Sequence, residues 1–161
     1  MTKQEFLAFS LPYELHGMTQ KRLGLINGIE YEKQLPIIWR GEKISGRCGF
    51  GIRPILRPLS DLTKEIEHNG EKFVPIVELA KIIYPKHEWK ISNSGLYAVV
   101  GNGYMVFEYD YGYNCFLCDN SAQLDQLECL LKTIEWHFDI ANLIPKGEAI
   151  DVNTLDINPY K

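Results

Sequence analysis

The spacing of apolar and polar positions changes along the chain, and each change predicts an element. In "TKQEFLAFSL", Phe6, Leu7 and Phe9 form an apolar side at helical spacing, which predicts a short first helix. Thr2 can cap it, with Glu5 three residues on, and Pro12 ends it. Residues 13 to 58 then read as β structure. "RLGLINGIEYEK" places Asn27-Gly28 between two short runs, as in a hairpin turn. "LPIIWR" and "IRPILRPL" are further strands; Pro54 lacks an N–H, so the second reads as an edge or irregular strand.

From residue 60 the pattern becomes helical. "SDLTKEIEHNG" opens on Ser60, a good N-cap, and stops at Asn69-Gly70, which predicts a helix. "FVPIVELAKIIYP" predicts a second, with Pro75 in the first turn, Ile76, Leu79, Ala80 and Ile83 on one face, and Tyr84-Pro85 closing it. The segment "EWKISNSGLYAVVGNGYMVFEYDYGYNCFLCDN" predicts a β-meander, with turns at Ser92-Asn93-Ser94-Gly95, at Asn102-Gly103 and near Tyr111-Gly112. A last helix follows. Asn120 and Gln123 resemble a capping box, and Leu124, Leu127, Leu131, Ile134, Phe138 and Ala141 form a stripe that needs covering. The tail "AIDVNTLDIN" alternates weakly like a strand.

This order predicts an α+β fold with mainly antiparallel strands. An N-terminal β segment and a central meander would pack with the short N-terminal helix, a middle helix pair and the long C-terminal helix. At 161 residues the chain has the length of one domain, 1–161, with a change of character near residue 60 that can divide two subdomains.

Composition narrows the function classes. Hydrophobic residues make up 45% and charged residues 24%, values at which long disorder is not expected. No apolar run approaches the roughly 20 residues of a membrane-spanning helix. The charges of "MTKQEFLAFSLPYEL" come too early for a secretory signal, so a cytosolic protein without membrane partners is expected. In that compartment Cys48, Cys115, Cys118 and Cys129 read as reduced thiols. The net charge of −4 disfavours a dedicated nucleic-acid binder. The charge is uneven, however: residues 1–60 hold nine Lys/Arg against five Asp/Glu, and residues 61–161 hold eight against sixteen.

Each candidate site meets a physical objection. Gly46, Gly49 and Gly51 precede a strand instead of following one into a helix, which is the wrong order for a phosphate loop; they read as turn glycines of a hairpin or Ω-loop. Arg40, Lys43, Arg47, Arg53 and Arg57 remain as a basic group, with Arg53 and Arg57 on one face of a strand by alternation. Cys115 and Cys118 form a C-x-x-C pair, but on a strand they point to opposite faces, and Cys129 and His137 could join them only through the tertiary fold. Glu135, His137 and Asp139 do not converge at helical spacing, and His137 reads as a packed histidine. No catalytic residue, metal ligand or cofactor site is assigned. Tyr97, Tyr104, Tyr109, Tyr111 and Tyr113 stand in a stretch without Lys or Arg between Gly95 and Lys132. Phosphates would be repelled there, whereas a tyrosine surface beside acids suits a protein interface.

Three stretches, "MTKQEFLAFSLPYEL", "RPILRPLSDLTKEIEHNGEKFVPIVELAKI" and "WHFDIANLIPKGEAIDVNTL", resemble small proteins encoded by phages and prophages of Bacteroides-type gut bacteria. The resemblance implies a gene product made in a bacterial cytoplasm; it carries over no activity and no site residues. It does not cover 16–50 or 88–118, where a target-specific surface is then expected.

The functional expectation is a non-enzymatic protein-interaction module. Its candidate surface is Tyr97, Tyr104, Tyr109, Tyr111 and Tyr113, with Arg53 and Arg57 on another side. The partner would be a host or phage protein, or a second copy docked on the leftover apolar face of the last helix. The alternative from another class is a nucleic-acid-binding accessory factor using the basic group in 40–57.

Overall fold

The computed structural model describes residues 3–18, 23–32, 35–40, 53–101, 103–119, 121–122 and 126–161. Of the strands within 23–40, it describes the backbone and the Ile26 side chain. Outside the described residues lie the Thr2 cap, the Gly46/Gly49/Gly51 loop, Lys43, Arg47, Cys48, Asn102, the Asn120/Gln123 box and Leu124; the side chain of Arg40 is likewise not described. The chain is α+β and divides into two compact units: Met1–Pro58 with Ile134–Pro159, and Leu59–Thr133 with Tyr160–Lys161.

The first unit opens with helix α1 (Lys3–Ser10) and a short 3-10 turn, Leu11–Tyr13, in which Pro12 halts the α-helical ladder. Strands β1 (His16–Met18), β2 (Leu23–Glu32), β3 (Leu35–Arg40), β4 (Arg53–Leu56) and β12 (Ile150–Asp151) form one sheet in the order β12-β4-β1-β2-β3. All pairings are antiparallel except β4 with β12, where Ile150 faces Ile55. Phe6, Leu7, Leu15, Ile26, Ile55, Leu56, Phe138, Leu143 and Val152 form its buried core.

Two expectations fail in this unit. Asn27-Gly28 is not a turn: β2 runs through it, and the register against β3 shifts between Ile26 and Gly28. The same backbone freedom that suits this dipeptide to a hairpin turn suits it to a β-bulge. Nor is β4 an edge strand, because β1 and β12 flank it on either side. Pro54 is tolerated there opposite Gly17, near the start of the strand, where a missing donor removes little of the ladder. Beyond β4 the ladder continues through Arg57, whose N–H donates to the His137 carbonyl (2.8 Å) and whose carbonyl accepts from Asp139 N–H (2.9 Å).

The second unit is built on a meander of β7 (Trp89–Ile91), β8 (Ala98–Val100), β9 (Met105–Asp110) and β10 (Cys115–Cys118), extended by β11 (Ser121–Ala122). Helix α2 (Pro75–Ile83) packs on β7, β8 and β9 through buried Ile76, Leu79 and Ala80, the face that its periodicity predicts. Pro75 occupies the first turn, where its missing N–H costs nothing, and Tyr84 N–H closes the end on the Ala80 carbonyl. Facing α2, Phe107 stacks on Phe116 (5.7 Å between centroids) and meets Trp89 edge-on at 6.2 Å.

The predicted helix over 60–70 is absent. A 3-10 turn, Leu59–Asp61, leads instead into a hairpin of β5 (Ile66–His68) and β6 (Glu71–Phe73). Asn69 (φ 51°) and Gly70 (φ 80°) turn it, the left-handed pair that a two-residue hairpin loop requires. The pairing sets Glu67 opposite Lys72 and Ile66 opposite Phe73, contacts that a lone helical turn would not make. The middle helix pair is therefore one helix and one hairpin.

The last helix, α3 (Gln126–Glu135), is shorter than predicted and rotated. Cys129, Thr133 and Ile134 are buried, while Leu127 (69% exposed) and Leu131 (38%) face outward. The polar residues on the buried face satisfy themselves locally. Thr133 donates to carbonyls one turn back, and the Gln126 amide pairs with both backbone groups of Phe116 like a surrogate strand. His137 (φ 63°) takes the left-handed conformation that ends a helix, and its N–H bonds the Ile134 carbonyl at 2.9 Å. Among the described residues no helix is long and apolar enough to cross a membrane.

Candidate interaction surface

Strand direction decides which residues share an end of the meander. β7 and β9 run the same way, so the β7–β8 loop (92–97) and the β9–β10 loop (111–114) leave the same end of the sheet. The β8–β9 turn, with Tyr104, leaves the opposite end. The five tyrosines therefore form no single patch. Tyr113 (84% exposed) and Tyr111 (65%) stand at the same end as Leu96 (70%), and Tyr104 (87%) stands at the other. Tyr109 is buried on the α2 side, and Tyr97 is half-buried on the outer face.

The β9–β10 loop is held in place from four directions. The Asp110 carboxylate accepts from Gly112 N–H (2.7 Å) and Tyr113 N–H (3.0 Å). The Tyr109 hydroxyl donates to Asn114 Oδ1, and Asn114 closes the turn at φ 54°. The Tyr111 ring meets Tyr109 edge-on at 5.3 Å, and its hydroxyl donates to the Leu59 carbonyl (3.3 Å). An Asx turn of this kind gives the backbone its curvature without a regular ladder. The result is an aromatic pair shown to solvent on a loop whose backbone is already ordered.

The buried member of the group carries the clearest electrostatic signature. Burial first, then Tyr111 and Cys115, pushes the Tyr109 phenol up to about 12. The folded state thus favours the neutral phenol, and this group's contribution to stability falls as pH rises from the ordinary value of 10.0 through about 12. An alkaline ultraviolet titration is expected to show one tyrosine ionising near 12, and Tyr109→Phe to remove that step.

The remaining candidates separate. Arg53 is exposed, whereas Arg57 is 3% exposed and donates from Nε to the Trp136 carbonyl (3.2 Å). The two arginines do not form a shared solvent face, because the ladder with 137–139 carries Arg57 inside the first unit. Cys115 and Cys118 point to opposite faces of β10, and burial, with Asp119 adding, pushes the Cys118 thiol up. Among the described residues no group of three His, Cys, Asp or Glu side chains is placed to hold a metal ion.

His137 is buried, as a packed histidine would be, but in the turn after α3 and not within the helix. Asp139, just beyond, is buried and caps the following turn. Its two oxygens accept from Leu143 N–H and Ile144 N–H, each at 2.7 Å. An acid three residues before an exposed Asn142 at φ 56° is too common a pattern for the sequence alone to announce this cap. Compared with known proteins, the chain matches no family model, no curated protein and no solved structure.

Proposed function

We propose that this chain is a non-enzymatic protein-interaction module, a phage or prophage product acting in a bacterial cytoplasm. Its recognition surface is the end of the meander that carries Leu96, Tyr111 and Tyr113. One observation carries the reading: Tyr111 and Tyr113 are exposed on a loop ordered by hydrogen bonds accepted by Asp110 and donated by the Tyr109 and Tyr111 hydroxyls. Tyrosine offers large contact area with few rotatable bonds, and a preordered loop lowers the entropy lost on binding. Asp110 beside the pair, in a half of the chain with excess acid, favours a partner whose surface is basic as well as apolar.

The nucleic-acid alternative has less support, since the Arg57 guanidinium is committed to a carbonyl within its own unit.

The test is affinity capture from a Bacteroides-type lysate, with and without nuclease, using the wild type and a Tyr111→Ala/Tyr113→Ala variant. A protein that survives nuclease with the wild type is expected to bind the variant roughly thirtyfold more weakly, the loss of one interface hot spot. Capture that nuclease abolishes, or that the variant leaves unchanged, refutes the reading.

A further inference from the structure

The face of the meander turned away from α2 holds a groove of about 530 Å³, within the range of small-molecule sites. Its floor follows from the register. Lys90 pairs with Val99 and Val99 with Val106, so these three side chains stand in one row on the outer face. The ladder continues through Ser92 N–H, which donates to the Tyr97 carbonyl (2.9 Å), so Ser92 and Tyr97 form the next row. The 92–95 turn adds Asn93 and Ser94, and Gly101 and Gly103 close the far side with positive-φ backbone that carries no side chain into the space.

The chemistry of this lining is specific. Two valines give an apolar floor. The Ser92 and Ser94 hydroxyls lie 2.9 Å apart and keep hydrogen-bonding capacity beyond the bond they share. The Lys90 ammonium, the Asn93 amide and the Tyr97 hydroxyl are not used in bonds within the described chain. Among the described residues no acid lines the groove; Glu108 stands outside it, across the strands from Tyr97 and one row from Lys90. A ligand that satisfies all of these groups carries one negative charge, several hydroxyls and one apolar face.

We propose that the groove binds a sugar acid, with its carboxylate on Lys90, its hydroxyls on Ser92, Asn93 and Ser94, and its C–H face on Val99 and Val106. Glu108 fixes the polarity, because it repels a carboxylate from the Tyr97 end. The 92–97 turn that lines the groove also carries Leu96, but the groove uses neither Tyr111 nor Tyr113, and neither reading needs the other.

The experiment is a two-dimensional amide NMR titration with glucuronate, with glucose and inorganic phosphate as comparison probes. Saturable shifts centred on Lys90, Ser92, Asn93 and Tyr97 are expected with glucuronate, and clearly weaker ones with the other two. Lys90 and Asn93 are exposed, so Lys90→Met and Asn93→Ala should fold normally. Lys90→Met is expected to weaken glucuronate roughly tenfold or more, the scale of one hydrogen bond to a charged group. No saturable shift at these amides, equal binding of glucose or phosphate, or wild-type affinity in Lys90→Met would overturn the proposal.

Discussion

Phe107→Ala is expected to lower stability by about 3–5 kcal/mol, the usual cost of truncating a fully buried phenylalanine. Phe107 is 0% exposed. It stacks on Phe116 and meets Trp89 edge-on, while α2 packs on its strand. Removing the ring deletes apolar burial and leaves a cavity among rigid neighbours that cannot collapse into it. Phe107→Leu keeps most of the volume and should cost far less. Urea unfolding followed through tryptophan fluorescence checks both, and equal losses in the two variants would contradict this account of the core.

Asp139→Ala is expected to cost about 2–4 kcal/mol, because one buried and one half-buried N–H group lose their acceptors together. The Asp139 carboxylate spans both donors in one turn, with an oxygen on Leu143 N–H and another on Ile144 N–H. The pH dependence has a definite sign. Burial raises the Asp139 carboxyl above its ordinary value, and the two backbone donors and Lys146 oppose that. The folded state therefore holds its proton where the unfolded state has lost it. The contribution is full below the ordinary value of 3.8 and declines as pH rises through the raised value. Asp139→Asn keeps one acceptor oxygen and removes the titration. The wild type's advantage over it should be largest in acid and shrink with rising pH, measured by urea unfolding across that range.

Periodicity located most elements because it reports burial directly. The α2 face of Ile76, Leu79 and Ala80 and the strands of the meander were legible for this reason. Local punctuation was weaker, and two of the three Asn-Gly pairs show why. Asn27-Gly28 looked like a hairpin turn and sits in a strand at a register shift, while Asn69-Gly70 looked like a helix stop and turns a hairpin. A glycine-bearing dipeptide frees the backbone for turn, bulge or helix end alike, so it marks that freedom and tertiary pairing decides its use. The stripe at the last helix failed only in part, since Ile134, Phe138 and Ala141 are buried. Leu127 and Leu131 fit the apolar period, but the helix turns Cys129 and Thr133 inward, since a threonine can return its hydroxyl to the backbone and be buried.

The candidate surface was legible as composition and not as geometry. Tyrosine content pointed to the meander, yet only chain direction separates Tyr111 and Tyr113 from Tyr104, and only the register sends Tyr109 inward. The bracing of the loop rests on Asp110 and Asn114, ordinary turn residues whose bonds no spacing rule announces.

Site-specific photo-crosslinking in cells tests the central reading most directly. A photoreactive phenylalanine replaces Tyr113 in one variant and exposed Asp156 in another. A defined protein adduct from position 113, resistant to nuclease and absent from position 156, is the predicted result. No protein adduct at 113, or the same adducts from both positions, would contradict it.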